Sequence, residues 1–292
     1  MGDGNYKHNQ NIISLNNANN LNKPNKYKLH VIKTIFIRND KFIDINVKSL
    51  RSLLSYISLI TNKFSSIHLS LYSWINKSDN NLYESMHQLL INLINEYNHI
   101  NISFNTLDEN IGKLNVMKKY TDDYLAHVIN DDIVLYLDHD IIIINDIIKV
   151  FSDINHEYDN KIIKMISFDQ EPDYRHNQRI YNNTIIINKN KYYYDGFNSH
   201  VATGCFLCNV DFFNKLNIYM SKQEICESND VYGEEDFIIS ECLDSYNYIN
   251  IVSHKKIYHG YDNDQEYAEW KKKQLINIFN RKNNFFKISN HK

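Results

Sequence analysis

Short apolar runs and longer stretches with helical periodicity alternate along the first 140 residues of this chain. Four runs of β-branched and other apolar residues predict strands at 27–37, 67–71, 100–104 and 133–137. The stretches between them repeat apolar residues every three or four positions, as amphipathic helices do. These helical stripes are Leu50–Ile57, Leu82–Tyr97 and Met117–Val128.

This alternation of strands and helices predicts a parallel sheet, because parallel neighbours need a crossover connection, which is usually a helix. The run Ile133–Leu137 is apolar throughout, as expected of a central strand that is buried on both faces. Open sheets of this kind bind ligands at the carboxyl ends of their strands. Fold class alone therefore favours a nucleotide-binding architecture.

The second half of the chain is patterned less regularly. Strands are predicted at 162–168, 184–187, 201–209 and 248–252, and helices are predicted at 211–216 and 236–243. The polar, Asn-rich residues 1–27 predict a disordered or loose arm. Residues 28–292 predict a single domain that ends in an amphipathic helix at about 264–286.

Two carboxylates, Asp138 and Asp140, follow the strand 133–137 directly. Residues i and i+2 of an extended chain point the same way, so both side chains are predicted to converge at the end of a central strand. Two hard oxygen ligands at this edge suit Mn²⁺ or Mg²⁺ held together with a diphosphate. A lone Asp-x-Asp is more often a solvated turn than a metal site. Motifs further along the chain therefore have to decide between these two interpretations.

Composition narrows the classes of function. The net charge of −3 and the scattered lysines and arginines predict neither a nucleic-acid partner nor an acidic membrane. No apolar run approaches the about 20 residues of a membrane span, and no signal segment opens the chain, so we predict a cytoplasmic protein. The abundance of Asn, Ile, Lys and Tyr indicates an AT-rich genome, such as that of a parasite or a large virus, and a viral protein would act in the host cytoplasm or the virion.

The four cysteines are predicted to be free thiols. Cys205 and Cys208 have the spacing of a zinc-binding pair, but no second pair of ligands follows to complete the site. Their surroundings are apolar and predict a strand, so a structural zinc site is disfavoured.

Two further groups of polar residues follow the aspartates along the chain. Glu235 and Asp236 stand at the predicted start of a helix, where the helix dipole stabilises carboxylates, and an ordinary acidic cap is the more common explanation of such a pair taken alone. His259 follows a short apolar run. Such a histidine is often a packing or surface residue, although neutral imidazole also binds Mn²⁺ beside carboxylates.

The order of these motifs resembles that of the GT-A glycosyltransferases, in particular their inverting, family 2-like members. The resemblance spans about residues 30–262 and rests on Glu109–Leu114, Asp138-x-Asp140, the small residues Ala202–Gly204, the pair Glu235-Asp236, and His259. It implies an α/β, Rossmann-like, nucleotide-sugar-binding fold with a central, mostly parallel mixed sheet.

The resemblance also implies a reaction. A hexosyl or N-acetylhexosaminyl group passes from a nucleotide-sugar, with UDP favoured, to an acceptor hydroxyl with inversion. Asp140 then binds Mn²⁺ or Mg²⁺ directly, Asp138 binds the ribose or reaches the metal through water, and His259 completes the protein ligands. Asp236 acts as the catalytic base, and Glu235 binds hydroxyls of the sugar or the acceptor. The implied donor-binding residues also include Arg38, Asp40, Thr203 and Gly204.

Departures from the family pattern leave alternatives open. The segment Tyr72–Asp79 differs from the Asp-Asp-Gly-Ser-like end of the second strand in family 2, where one Asp contacts uracil, and the Gln-x-x-Arg-Trp acceptor motif is absent from the sequence. Family 8-like retaining transferases share a similar Tyr-Leu-Asp-x-Asp and a late His-x-Gly, so the stereochemical outcome stays open.

Two rivals belong to other functional classes. A nucleotidyltransferase that makes nucleotide-sugars needs a Gly-rich segment after the first strand, and Ile37–Lys41 contains no glycine. A catalytically inactive module that binds a sugar or a protein partner on the same fold is the second rival. The sequence leaves open the donor sugar, the acceptor (a glycan, a protein or a small molecule) and the oligomeric state.

Overall fold

The computed structural model describes residues 27–78, 80–125, 132–151, 165–169, 183–187, 190–194, 204–222, 248–252 and 257–259. The described strands are β1 (Lys28–Ile37), β2 (Ser66–Ile75), β3 (Asn101–Leu107), β4 (Ile133–Leu137), β5 (Ile141–Ile143), β6 (Met165–Asp169), β7 (Asn183–Ile187), β8 (Asn190–Tyr194), β9 (Cys205–Asn209), β10 (Tyr248–Val252) and β11 (Ile257–His259). The longer described helices are α1 (Ile43–Ile60), α2 (Asn80–Asn95), α3 (Gly112–Tyr120) and α4 (Val210–Lys222). The predicted arm up to residue 26 and the predicted helices at 236–243 and 264–286 lie outside the described residues.

The first half of the chain forms the parallel α/β unit that the sequence predicts. β1 pairs in parallel with β2 on one side and with β4 on the other, and β2 pairs in parallel with β3. Helices α1, α2 and α3 occupy the connections between consecutive strands. β2 continues to Ile75, beyond the predicted end at Leu71, because its last residues pair with the full length of β1.

The described strands assemble into a nine-stranded mixed sheet with the order β3-β2-β1-β4-β9-β6-β10-β8-β7. β9 runs antiparallel to its neighbours β4 and β6, and β8 runs antiparallel to β10 and β7. The other seven strands of this sheet share one direction. The predicted mixed sheet with mostly parallel strands is therefore confirmed.

The sheet has a separate core on each face. Successive residues of β1 point to opposite faces, so Val31 and Ile35 pack with α1 and α2, whereas Ile32 packs with α3 and α4. Strands covered on both faces need apolar residues at nearly every position. This double coverage explains the continuous apolar runs in β1 and β4.

Strands β5 and β11 form a small second sheet that the sequence pattern did not predict. Their antiparallel register pairs Ile141 with His259 and Ile143 with Ile257. Three-residue strands carry too little periodicity to be recognised in a sequence. The pairing also joins segments that lie far apart along the chain, which no local pattern reports.

The helices differ in detail from their predicted stripes. α3 ends at Tyr120 and continues as a single π-helical turn, Thr121–Leu125, whereas the prediction extended the helix to Val128, outside the described residues. Residues five apart lie on different faces of an α-helix, and the wider turn keeps both Tyr120 and Leu125 buried in one core. α4 reaches Lys222 and is longer than predicted. Within the described chain, helices of the length and apolar character that a membrane span needs are absent.

Cys205 and Cys208 are free and buried in β9, as predicted for both. Cys205 packs in the core of the α1 and α2 face, and Cys208 packs in the core of the α3 and α4 face. Their side chains therefore lie on opposite sides of the sheet and do not form a zinc-binding pair. Burial raises the pKa of both thiols and keeps them protonated.

A buried polar cluster lies near the amino ends of β1 and β2. His30 Nδ1 is 2.8 Å from the Tyr120 hydroxyl, and His30 Nε2 is 3.3 Å from Asp132 Oδ2. His68, the partner of His30 in the β1–β2 register, lies 2.6 Å from Ser103 Oγ. Desolvation lowers the pKa of both histidines, and for His30 the hydrogen bond and charge of Asp132 oppose the shift.

We expect the free energy of unfolding to fall as the pH drops below about 6.5, the ordinary pKa of histidine. The unfolded chain takes up protons there that the folded His30 and His68 resist, so acid favours unfolding. Urea unfolding between about pH 8 and about pH 5.5 measures this slope. Replacing both residues (His30→Gln with His68→Gln) should flatten it, whereas the exposed His99→Gln should leave it unchanged. An equal slope in the double variant contradicts the assignment.

Candidate functional site

The candidate site lies where β1 and β4 separate. The parallel pairing of these strands ends at Lys33 and Leu137, but β1 continues alongside β2 to Ile37. β2 and β3 follow β1 on one side, whereas β4 lies on its other side. The order of strands therefore reverses between β1 and β4. Open α/β sheets bind their ligands in the crevice that such a reversal leaves at the carboxyl ends of the strands.

Asn46 of α1 takes the place of a strand partner along the unpaired edge of β1. Its Oδ1 accepts a hydrogen bond from the backbone N–H of Phe36 at 3.0 Å. Its Nδ2 donates to the carbonyl oxygens of Phe36 at 2.9 Å and of Phe42 at 2.7 Å. Asn46 is fully buried, and its amide satisfies backbone groups that β4 no longer reaches.

Asp138, the first residue after β4, is held in a defined orientation. The buried Tyr136 hydroxyl donates to its Oδ1 at 2.9 Å, and Lys113 Nζ lies 2.8 Å from its Oδ2. The backbone N–H of Asp138 donates to the carbonyl oxygen of Gly204 at 2.8 Å. The side chain remains 23% exposed, so it faces both the protein and the crevice. Gly204, a predicted donor-binding residue, thus lies beside Asp138.

Lys113 reaches Asp138 from the first turn of α3. Gly112, which starts this helix, has a φ of +73°, a conformation that residues with a Cβ rarely adopt. The Gly112 N–H donates to Asn110 Oδ1 at 3.2 Å, which fixes the entry into the helix. Lys113 Nζ also lies 5.8 Å from the centre of the Tyr136 ring. Its charge is therefore placed at the end of β4.

Asp140 and His139 complete the turn after β4. Asp140 is only 5% exposed, in contrast to the solvated turn that a lone Asp-x-Asp usually forms. The His139 ring packs against Phe36 and Phe42, with centroids 5.4 and 6.5 Å apart. Desolvation lowers the pKa of His139, although Asp140 and Asp138 oppose the shift. The turn is thus packed into the protein rather than displayed on its surface.

Lys33 lies beneath this turn and was missed by the sequence analysis. It is fully buried, and its Nζ donates to Ser49 Oγ at 2.6 Å and to the carbonyl oxygen of Asp138. The Ser49 hydroxyl in turn donates to the carbonyl oxygen of Ile141. Desolvation lowers the pKa of Lys33 to about 7, and Asp140 and Asp138 oppose the shift. The only sequence signal is a lysine inside the apolar run of β1.

The structure places the predicted metal ligand His259 beside the turn by strand register. The pairing of β11 with β5 sets the backbone of His259 opposite Ile141, the residue that follows Asp140. The His259 side chain lies outside the described part of the chain. Thr203, Glu235 and Asp236 also lie outside it.

Arg38 and Asp40, two predicted donor-binding residues, line a cavity of about 360 Å³ at the ends of β1 and β2. Small-molecule sites have volumes of about this size or larger. Asn39 accepts a hydrogen bond from the Lys41 N–H at 3.1 Å and caps the short 3₁₀ turn that carries Asp40. The other lining residues are Asn39, Lys41, Asn76 and Leu82.

Aromatic side chains pack together near the ends of β1, β2 and β4. Phe36 stacks on Trp74 with ring centres 4.9 Å apart and an angle of 22°. Trp74 is half-buried, and one face of its ring packs on Phe36. Phe36 also contacts His139 and therefore connects the ends of β1, β2 and β4.

Of the three predicted metal ligands, the structure describes the side chains of Asp138 and Asp140 but not that of His259. No group of three or more His, Cys, Asp or Glu side chains that could hold a metal ion occurs among the described residues. Asp138 and Asp140 offer oxygen donors of the kind that Mn²⁺ and Mg²⁺ take. Both oxygens of Asp138 are engaged by Tyr136 and Lys113, but each keeps a second lone pair for a water or a hydroxyl. This arrangement suits the indirect role predicted for Asp138.

No family model matches this chain, and no curated protein matches it. Among solved structures it is similar to HddC from Yersinia pseudotuberculosis, with 10% identity and a TM-score of 0.41, over 80% of this chain and 93% of that one. It is also similar to UDP-glucose pyrophosphorylase complexed with UDP-glucose, with 12% identity and a TM-score of 0.47, over 85% and 99% of the two chains. Likenesses at this level assign neither a family nor a residue role. Membership of the family 2-like glycosyltransferases stays a prediction.

Replacing Asn46 with alanine should lower the free energy of unfolding by roughly 2–3 kcal/mol, because the partly buried N–H of Phe36 loses its acceptor and the carbonyl oxygens of Phe36 and Phe42 lose a donor. The exposed Asn92→Ala on α2 is the matched control, with an expected change within about 0.5 kcal/mol. Urea unfolding of both variants measures the difference. Equal stabilities of the two variants contradict the role of Asn46 at this edge.

Proposed function

We propose that this protein is a metal-dependent glycosyltransferase. It transfers a hexosyl or N-acetylhexosaminyl group from a nucleotide-sugar, with UDP favoured, to a hydroxyl of an acceptor. The observation that supports this most is the meeting of Asp138, Asp140, Gly204 and the backbone of His259 at the separation of β1 and β4. These residues come from distant parts of the chain, and the pairing of β9 with β4 and of β11 with β5 brings them to one edge of the sheet.

In this proposal the nucleotide-sugar lies across the carboxyl ends of β1 and β4. The partly exposed carboxylate of Asp138 accepts hydrogen bonds from the ribose, in an orientation that Tyr136 and Lys113 set. Arg38 and Asp40 contact the nucleoside side of the donor from the neighbouring cavity. Thr203 and Gly204 allow the backbone to approach the donor sugar, since small residues leave room there.

Asp140 would hold Mn²⁺ or Mg²⁺ directly, Asp138 through a water, and His259 would complete the protein ligands. When bound, the ion supplies positive charge that offsets the charge growing on the leaving nucleoside diphosphate. Asp140 is nearly buried, which suits a ligand whose position must not vary.

In the same proposal Asp236 removes the proton from the acceptor hydroxyl as that oxygen attacks the anomeric carbon, and Glu235 binds hydroxyls of the sugar or the acceptor. Attack from the side opposite the leaving group inverts the configuration at the anomeric carbon. General-base assistance of this kind accelerates a reaction by about 10²–10⁴-fold.

The first test is Mn²⁺-dependent hydrolysis of a panel of nucleotide-sugars. We expect one donor to be hydrolysed, with a rate that falls about 100-fold or more in Asp140→Ala, because the metal contributes several kcal/mol to the barrier. Asp44→Ala is the control, since Asp44 is exposed in a surface pair with Lys48. With an acceptor present, Asp236→Asn should slow transfer by about 10²–10⁴-fold while affecting hydrolysis less.

The products separate the remaining candidates. The anomeric configuration of the released sugar, followed by NMR, distinguishes inversion from family 8-like retention. Formation of a nucleoside triphosphate from a nucleotide-sugar and pyrophosphate would identify a nucleotidyltransferase instead. Binding of a donor without any cleavage would support the inactive sugar-binding module. If no donor is cleaved and none binds in calorimetry, the proposed function is wrong for the donors tested.

A further inference from the structure

Lys33 is a fully buried lysine in the middle of β1. It lies on the β1 face that carries Val31 and Ile35, in a layer that consists mostly of apolar side chains. Its side chain has no exposed surface. Burying an ammonium group is costly unless hydrogen bonds and opposite charges compensate it, and lysine is almost never found fully buried without partners. An apolar residue at position 33 would fill this layer without that cost.

The contacts of Lys33 all lead to the turn that carries the two aspartates. Its ammonium donates to the carbonyl oxygen of Asp138, at the start of the turn, and to Ser49 Oγ. Ser49 donates to the carbonyl oxygen of Ile141, at the end of the turn. The Ile141 N–H closes the turn on the Asp138 carbonyl oxygen at 3.3 Å. Both ends of the turn are thus attached to β1 and α1.

We infer that Lys33 is a positioning residue that, together with Ser49, fixes the turn between Asp138 and Ile141 and thereby the direction of both carboxylates. Its relevance to metal binding and transfer rests on the proposed function, whereas its effect on the turn does not. Because Lys33 is fully buried, it acts through the turn and does not touch a substrate. Residues that orient metal ligands from behind typically change metal affinity by about 10–100-fold when they are replaced.

A positioning role and a purely structural role predict different outcomes for Lys33→Met. Methionine has a similar length and carries no charge, but it leaves the nearly buried Asp140 without the opposite charge of Lys33, and removing one of two facing buried charges destabilises a protein. The Asp138 carbonyl keeps the Ile141 N–H as a donor in this variant. We therefore expect the urea midpoint to fall, and the Ile141 amide to exchange faster by more than this loss of stability explains.

The experiment compares the parent protein with Lys33→Met, Ser49→Ala and the control Lys48→Met, which removes an exposed lysine from α1. Hydrogen exchange of the Ile141 amide reports on the turn without any ligand. It should be faster by roughly tenfold in both test variants, the size expected of one lost hydrogen bond. Calorimetry with Mn²⁺ alone should show an affinity about 10–100-fold weaker in both test variants. The Lys48→Met variant should match the parent in every measurement.

The outcomes separate this inference from the proposed function. If the parent protein binds no Mn²⁺, the metal site of the proposed function is wrong, and the exchange rates alone decide the role of Lys33. An Ile141 exchange rate in Lys33→Met that equals the parental rate overturns the inference. The inference is also overturned if exchange is faster across the whole sheet and the loss of global stability explains all of the increase. If Lys33→Met does not fold, Ser49→Ala decides: faster exchange at Ile141 with a parental urea midpoint supports the inference, and any other result overturns it.

Discussion

The hydrogen bonding between β1 and β4 ends at Lys33 and Leu137, and the candidate site depends on that ending. The chain leaves β4 through the turn at Asp138 and enters β5, which pairs with β11 and not with β1. The edge of β1 beyond Lys33 is therefore open to another partner. A crevice at the carboxyl ends of two diverging strands is where folds of this class place their ligands.

Helix α1 compensates for the lost strand partner with a short polar stripe. Asn46 and Ser49 are three residues apart, so they lie on the same face of the helix, and both are fully buried. Asn46 satisfies the backbone of Phe36 on β1, and Ser49 connects Lys33 to the carbonyl oxygen of Ile141. Buried polar groups need such mutual partners. The floor of the site is thus built jointly by β1, α1 and the turn after β4.

Local patterns in the sequence were sufficient for the strands and helices of the first half and for the two aspartates at the end of β4. The same patterns missed Lys33, Asn46 and Lys113, because a single polar residue in an apolar stretch has no periodicity of its own. Their partners lie on other elements, and only the packed structure shows that Lys113 of α3 faces Asp138. The periodicity of the sequence also did not reveal the π-helical segment after Tyr120, because this segment is only a single turn long.

By itself the sequence determined most of the longer strands and helices of the first half, which of their faces are apolar, and which carboxylates follow β4. These properties depend on neighbours within a few positions, and backbone geometry converts them directly into local structure. Only the tertiary structure decided that β9 runs antiparallel between β4 and β6, that Gly204 meets Asp138, and that His259 pairs opposite Ile141. These contacts join residues that lie far apart in the chain. They depend on the order of the strands in the sheet, and no local sequence pattern encodes that order.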